Sequence, residues 1–325
     1  MKHELNIRSV SGFITGKYFI FALFILVFAL FAILAPALCS SDSIRNILVN
    51  ASLTAISGCG MTFAITLGGF DLSVGSIMAL STCVIAKLVP VIGIPGAIVI
   101  AFAVSAVVGI VNGLIITKLK IQTFVATLAT QVIIKGLALI YTGGLSVSIF
   151  SYTQLKLFSS ARVLGIPLPV LITVVVYLIC QFLYSRCKFG VYLRAAGSNE
   201  KAARLSAVPV ERITICAFII TALTACLSGV ITVSQVLTAN ASTGSSFALN
   251  AITVVVLGGT SLSGGSGFLG GSVIAAILIS IIENGLTLLG YSDDIQRLVI
   301  GLILIASLTL KTFMSPLSKK EEVAK

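Results

Sequence analysis

Ten apolar runs leave this chain little choice but to fold as a bundle of membrane-crossing helices. They are Tyr18–Leu38, Ile47–Leu67, Leu72–Leu88, Ala97–Ile116, Phe124–Tyr141, Pro167–Tyr184, Ile213–Val236, Leu249–Leu257, Phe268–Leu289 and Ile295–Leu310. A hydrocarbon layer about 30 Å thick takes about 20 helical residues to cross. Lipid offers nothing to an unpaired backbone N–H or C=O, so a spanning segment must be a helix or part of a closed barrel. The runs are continuous rather than alternating, which excludes the barrel. Composition agrees, because 58% apolar and 10% charged residues, with a mean hydropathy of +1.15, cannot coat a water-soluble globule. The expected fold is all-α and polytopic, with about ten transmembrane helices in a single domain over residues 1–325.

A ten-residue phrase occurs twice. Leu67–Ser76 reads LGGFDLSVGS and Leu257–Ser266 reads LGGTSLSGGS, with seven of ten positions identical at an offset of 190 residues. Matched glycine-interrupted segments in a membrane protein point to two internal repeats and to broken helices that meet near a transport route. The recurring glycines are Gly68, Gly69 and Gly75 in one copy and Gly258, Gly259 and Gly265 in the other. They serve tight turns and close helix approach, or they touch a passing solute, and the sequence leaves both roles open. The eighth run is too short to cross. Either the polar stretch from Ser242 extends it, or it enters the bilayer and turns back.

Lysine and arginine accumulate in cytoplasmic loops. With the N-terminus inside, fifteen of the 21 cations fall on the cytoplasmic side, from Lys2, Arg8 and Lys17 through the Arg186–Arg212 segment to Lys311, Lys319, Lys320 and Lys325. Arg45, Lys87, Lys156, Arg162 and Arg297 fall outside, and Lys135 lies within the fifth run. Both termini are therefore expected in the cytoplasm. The net charge of +11 reads as topology and anionic-lipid contact, and no aromatic-interleaved basic patch suggests nucleic acid. Ala35-Pro36-Ala37 imitates a signal-peptide cleavage site, but the preceding apolar run is too long and further runs follow. Seven cysteines without C-x-x-C spacing indicate neither a metal site nor a disulfide framework.

The longest hydrophilic interruption expected inside is Ser185–Arg212. Ser198 or Asn199 is suited to capping a helix start, Glu200 to its first turn, and Ala202, Ala203 and Leu205 to its body. A short helix lying across the membrane face follows, either as a docking surface or as an ordinary loop helix.

Three stretches, GGFDLSVGS at Gly68–Ser76, AAGSNEKAARLSAVPVERI at Ala195–Ile213 and VVLGGTSLSGGSGFLGG at Val255–Gly271, resemble the membrane permease subunits of ribose-type bacterial ABC importers. The similarity runs through nearly the whole chain. It implies an inner-membrane permease that pairs with a second copy of itself, with the pathway between the two. It also implies cytoplasmic ATP-binding subunits that carry ATP and Mg, and a periplasmic binding protein that delivers a monosaccharide. By the same resemblance, residues 185–212 form a cytoplasmic coupling loop in which Arg194, Gly197, Asn199, Ala202, Ala203, Arg204 and Leu205 meet the ATPase. Two departures stand out. The chain reads Ala248-Leu249-Asn250 where relatives often carry an acidic E-L-D stretch, and Ala207 stands where glycine is common.

The chain is not expected to be an enzyme or to bind a cofactor or metal. A phosphate-binding Walker A loop needs G-x-x-x-x-G-K-[ST], and Gly12–Lys17 has the wrong spacing. His3 is the sole histidine, and no nucleophile arrangement accompanies it. Ser73, Ser76, Asn250, Ser261 and Ser263 carry groups that match sugar hydroxyls, or bond between helices instead. Asp71, Glu283 and Lys135 are ionisable groups within apolar surroundings, functional by default. For Asp71 the competing role is to cap a helix beginning near Leu72, for Glu283 to bind a neighbouring helix, and for Lys135 to snorkel. The favoured function is uptake of a ribose-like monosaccharide. A nucleoside ABC permease and an ion-coupled secondary transporter are the alternatives.

Overall fold

The computed structural model describes residues Phe19–Glu322. Lys2, His3, Arg8, Gly12–Lys17 and Lys325 lie outside the described residues, as do the side chains of Lys311, Lys319 and Lys320. Twelve helices follow in order: α1 (Phe19–Leu34), α2 (Ser41–Thr66), α3 (Val74–Lys118), α4 (Thr123–Thr142), α5 (Leu157–Ser160), α6 (Leu168–Ser185), α7 (Lys188–Ser198), α8 (Glu200–Leu205), α9 (Val210–Val236), α10 (Phe247–Leu257), α11 (Leu269–Leu288) and α12 (Asp293–Glu322). Six of them, α2, α3, α4, α6, α9 and α11, are long and apolar enough to cross a membrane, while α1 and α10 are shorter. The chain is thus an all-helical, multi-pass membrane protein.

The third and fourth apolar runs fall on α3, a single element bent back on itself. Gly93 takes φ 76° and ψ 172° between Pro90 and Pro95. Proline cannot donate to the helical ladder, and only glycine adopts that backbone geometry without strain. Ser81 and Ser105, twelve residues either side of Gly93, share a hydroxyl hydrogen bond at 3.1 Å. The two limbs are therefore antiparallel and side by side.

Helix α2 is the axis of the bundle. In its most apolar stretch 83% of residues are buried, against 22% in α6 and 28% in α3 and α4. It packs against α9, α11, α6 and α10. The Thr221 hydroxyl donates to the Gly60 carbonyl at 3.1 Å, and that of Ser228 to the Leu53 carbonyl at 2.8 Å. Without a hydrophobic force between helices in lipid, such close small-residue packing and interhelical bonding hold the bundle together.

Two expectations at helix ends change. The first run ends as a helix at Leu34, short of Leu38, because Pro36 starts a separate 3₁₀ turn over Pro36–Cys39. Ser40 then caps α2, its hydroxyl accepting from the Ser43 N–H at 3.2 Å. The polar stretch from Ser242 does not extend α10. Thr238–Ala239 instead forms β4, paired antiparallel with β1 (Val147–Ser148), and residues 241–246 are turns. A second small ladder joins β2 (Arg162–Val163) to β3 (Ile166–Pro167).

Candidate functional site

Both glycine phrases terminate helices by the same device, displaced by one residue. After α2, Gly68 sits at φ +83° while the Gly69 N–H returns to the Ala64 carbonyl at 3.1 Å. After α10, it is Gly259 that takes φ +99°, and the Thr260 N–H returns to the Val255 carbonyl at 3.2 Å. This is the Schellman closure, which satisfies late helical carbonyls through a left-handed residue.

Beyond the first closure, Asp71 is fully buried. Its Oδ1 accepts from the Ser73 N–H at 2.9 Å and the Ser73 hydroxyl at 2.5 Å. Helix α3 starts at Val74 with Ser73 at its cap position. Asp71 therefore closes an Asx turn just ahead of the helix rather than capping one that begins near Leu72. Asn112, from the second limb of α3, donates to the Ser73 hydroxyl at 2.9 Å. That limb continues six residues to Lys118, so Ser73 lies about 9 Å inside the limb's end at 1.5 Å per residue. The Phe70 carbonyl accepts from the Thr127 hydroxyl at 2.9 Å, which ties the phrase to α4. Sequence reasoning missed Asn112. The available signal was a lone amide in an apolar run.

The second phrase reaches back to the first. The Gly265 N–H donates to the carbonyl of Thr66, the last residue of α2, at 2.8 Å. Ser261 and Ser266 close the loop between them through a Ser261 N–H to Ser266 carbonyl bond of 3.1 Å. Ser263 is exposed and Ser261 partly so. Gly258 lies against the backbone of Gly271 and Ser272 on α11, and Gly75 against the Gly244 carbonyl ahead of α10. Ser76 is buried on the first turn of α3. Asn250 stands apart from both phrases, near the start of α10, where its amide lies 3.4 Å from Glu283 Oε1.

The loop helices complete the assembly. Arg194 holds α7 to the end of α6, donating to the Tyr184 carbonyl at 2.5 Å with its guanidinium 5.0 Å above the Tyr184 ring. Of the two capping candidates, Asn199 caps α8, its Oδ1 accepting from the Ala202 N–H at 3.0 Å. Ala203 is buried, whereas Ala202 is exposed and Leu205 is 89% exposed. Arg204 pairs with Glu200 at 2.9 Å and reaches Glu211 at 3.9 Å. Glu211 in turn binds Lys118 at 2.6 Å. A cavity of about 660 Å³ opens beside α8, lined by Gly69, Lys120, Thr123, Glu200, Arg204 and Phe218 among others.

Comparison with known proteins places the sequence in a family. Residues 43–308 match the family described as branched-chain amino acid transport system / permease component. The chain is 33% identical to the ribose import permease protein of Haemophilus influenzae, over 97% of its own length and 98% of the relative's. It is 38% identical to that of Bacillus subtilis, over 89% and 90% respectively. With the D-allose transport system permease protein of Escherichia coli it shares 34% identity over 92% of each chain. No solved structure matches. The chain belongs to the family of permease components that carries the branched-chain amino acid transport description.

Proposed function

We propose that the chain is the transmembrane permease subunit of an ATP-binding-cassette importer, forming the route for a ribose-like monosaccharide delivered by a periplasmic binding protein. The observation that carries this reading is the alignment with ribose, allose and L-arabinose transport permeases over 87% to 97% of the chain. In this reading two copies pair around the pathway, the face bearing the glycine phrases is cytoplasmic with both termini, and ATP and Mg sit on separate subunits docked against α8. The exposed Leu205 supports the docking. It is an apolar side chain with little packing of its own, on a helix offered to one face.

Arg204 is held by Glu200 and Glu211, so its guanidinium sets the shape of the docking surface as well as its charge. Among the pathway candidates, Asn250 keeps its place because it is partly exposed beside Glu283. Ser73 is occupied with Asp71 and Asn112, whereas Asp71 Oδ2 and Asn112 Oδ1 are buried without a hydrogen-bond partner among the described residues.

The experiment is reconstitution of the permease with its ATPase and binding protein in liposomes. Labelled ribose should accumulate with ATP and not with ADP. Arg204→Glu and Leu205→Glu should each reduce accumulation while the permease remains folded. Ribose uptake without the ATPase, driven by an ion gradient, would overturn the reading.

A further inference from the structure

The Thr66 carbonyl is the meeting point of three segments far apart in sequence. As the last helical carbonyl of α2 it has no partner within the helix. Its hydrogen bond comes from Gly265 in the second phrase rather than from the phrase that follows it. Gly197, at the end of α7, lies against the same carbonyl. A β-carbon there would overlap the Thr66 oxygen and stand 2.8 Å from the Gly265 nitrogen.

The neighbouring glycines are equally confined. A β-carbon on Gly264 would fall 2.6 Å from the Gly197 carbonyl and 3.0 Å from the Gly68 nitrogen, and one on Gly265 would overlap the Ser198 hydroxyl. Gly264 and Gly265 also hold φ of +80° and +78°, which disfavours any side chain at either position.

We infer that Gly197 is a positioning residue in a backbone clasp joining the end of α7 to both broken-helix junctions, so that movement of the loop helices reaches α3 and α11 together. Two consequences of the geometry carry this. The contacts of Gly197 and Gly264 are backbone against backbone, and close-packed contacts transmit displacement instead of absorbing it as a long side chain would. Each phrase also leads at once into a helix whose opening turns are largely buried, the first through Asp71 and Ser73 into the first limb of α3, the second through Gly267 into α11. The hydrogen bond from Gly265 to Thr66 locks the two exits to each other.

The inference rests on the importer reading, and its test separates the two. In the reconstituted complex, Gly197→Ala should lower ribose moved per ATP hydrolysed at least tenfold, with assembly retained and hydrolysis continuing. Gly265→Ala should act likewise, and adding Ser198→Gly, which removes the colliding hydroxyl, should recover part of the loss. Ser198→Gly alone should transport normally. A second measurement needs no transport. The unfolding midpoints of Gly265→Ala, Ser198→Gly and the double variant should be non-additive, as expected for residues in contact.

A Gly197→Ala protein with unchanged transport per ATP, or additive midpoints, would overturn the clasp while leaving the importer reading intact. Equal loss of assembly, hydrolysis and uptake in Gly197→Ala, with no recovery in the double variant, would reduce Gly197 to a folding residue and overturn it too. Failure of the unsubstituted complex to take up ribose with ATP would count against the importer reading, and additive midpoints would still refute the clasp.

Discussion

Asn112 donates its amide hydrogen to the Ser73 hydroxyl across 2.9 Å, joining residues at opposite ends of one folded-back helix. Both are fully buried, and Ser73 passes its own hydrogen to Asp71. Removing the Asn112 amide leaves the Ser73 hydroxyl its bond to Asp71 but no donor for its buried oxygen. Asn112→Ala should therefore destabilise the protein by about 1–3 kcal/mol. Thermal unfolding in detergent checks this, and an unchanged midpoint would mean that the pair contributes nothing.

Ala207 holds φ +58°, the left-handed conformation that closes α8 through a Val208 N–H to Ala203 carbonyl bond of 3.0 Å. A β-carbon in that region is worth roughly 1 kcal/mol of strain. Ala207→Gly should stabilise the loop helices by about that amount, read as slower amide exchange across α8. The departure from glycine noticed in the sequence is thus a point of strain.

Much of the fold could be read from the chain alone, because hydropathy reports where lipid can be. Even the hairpin of α3 was visible as two runs parted at Pro90 and Pro95. The repeated phrase was equally visible, but its contacts were not. Nothing in periodicity says that the Gly265 N–H reaches Thr66, or that Gly197 arrives beside them, since both are backbone meetings without a side-chain signature. Arg204 was legible as a charge on a surface helix, yet its intrachain partner Glu211 lies across Pro209 on the next helix. The Asn112 to Ser73 bond was hidden because the two residues are 39 positions apart.

Two glycines on neighbouring helices should respond oppositely to alanine. At Gly109, a β-carbon would stand 2.8 Å from the Ile219 α-carbon and the Phe218 carbonyl of α9. Gly109→Ala should force those helices apart at about 1–3 kcal/mol. Gly136 on α4 has nothing within 4 Å of that position, so Gly136→Ala should be neutral or stabilising by up to about 1 kcal/mol. Unfolding midpoints of the two variants, compared side by side, decide the matter.

The bridge from Lys118 to Glu211 is short, at 2.6 Å, but its side chains are 61% and 40% exposed. Exposed pairs add little to stability. Lys118→Ala should leave the unfolding midpoint nearly unchanged in both low and high salt. A large drop that salt abolishes would show the pair to be stronger than its exposure allows.

The reversal of α3 at Gly93 also fixes how much chain the protein can tolerate there. One extra residue beside it would rotate the following limb by about 100° around its own axis. Gly109 and Gly113, which nestle against α9, would swing outward, and the bulkier Val108 and Asn112 would be turned into the places they vacated. An ordinary connecting loop would absorb such an insertion, whereas here the phase of an entire crossing is written into a single hinge.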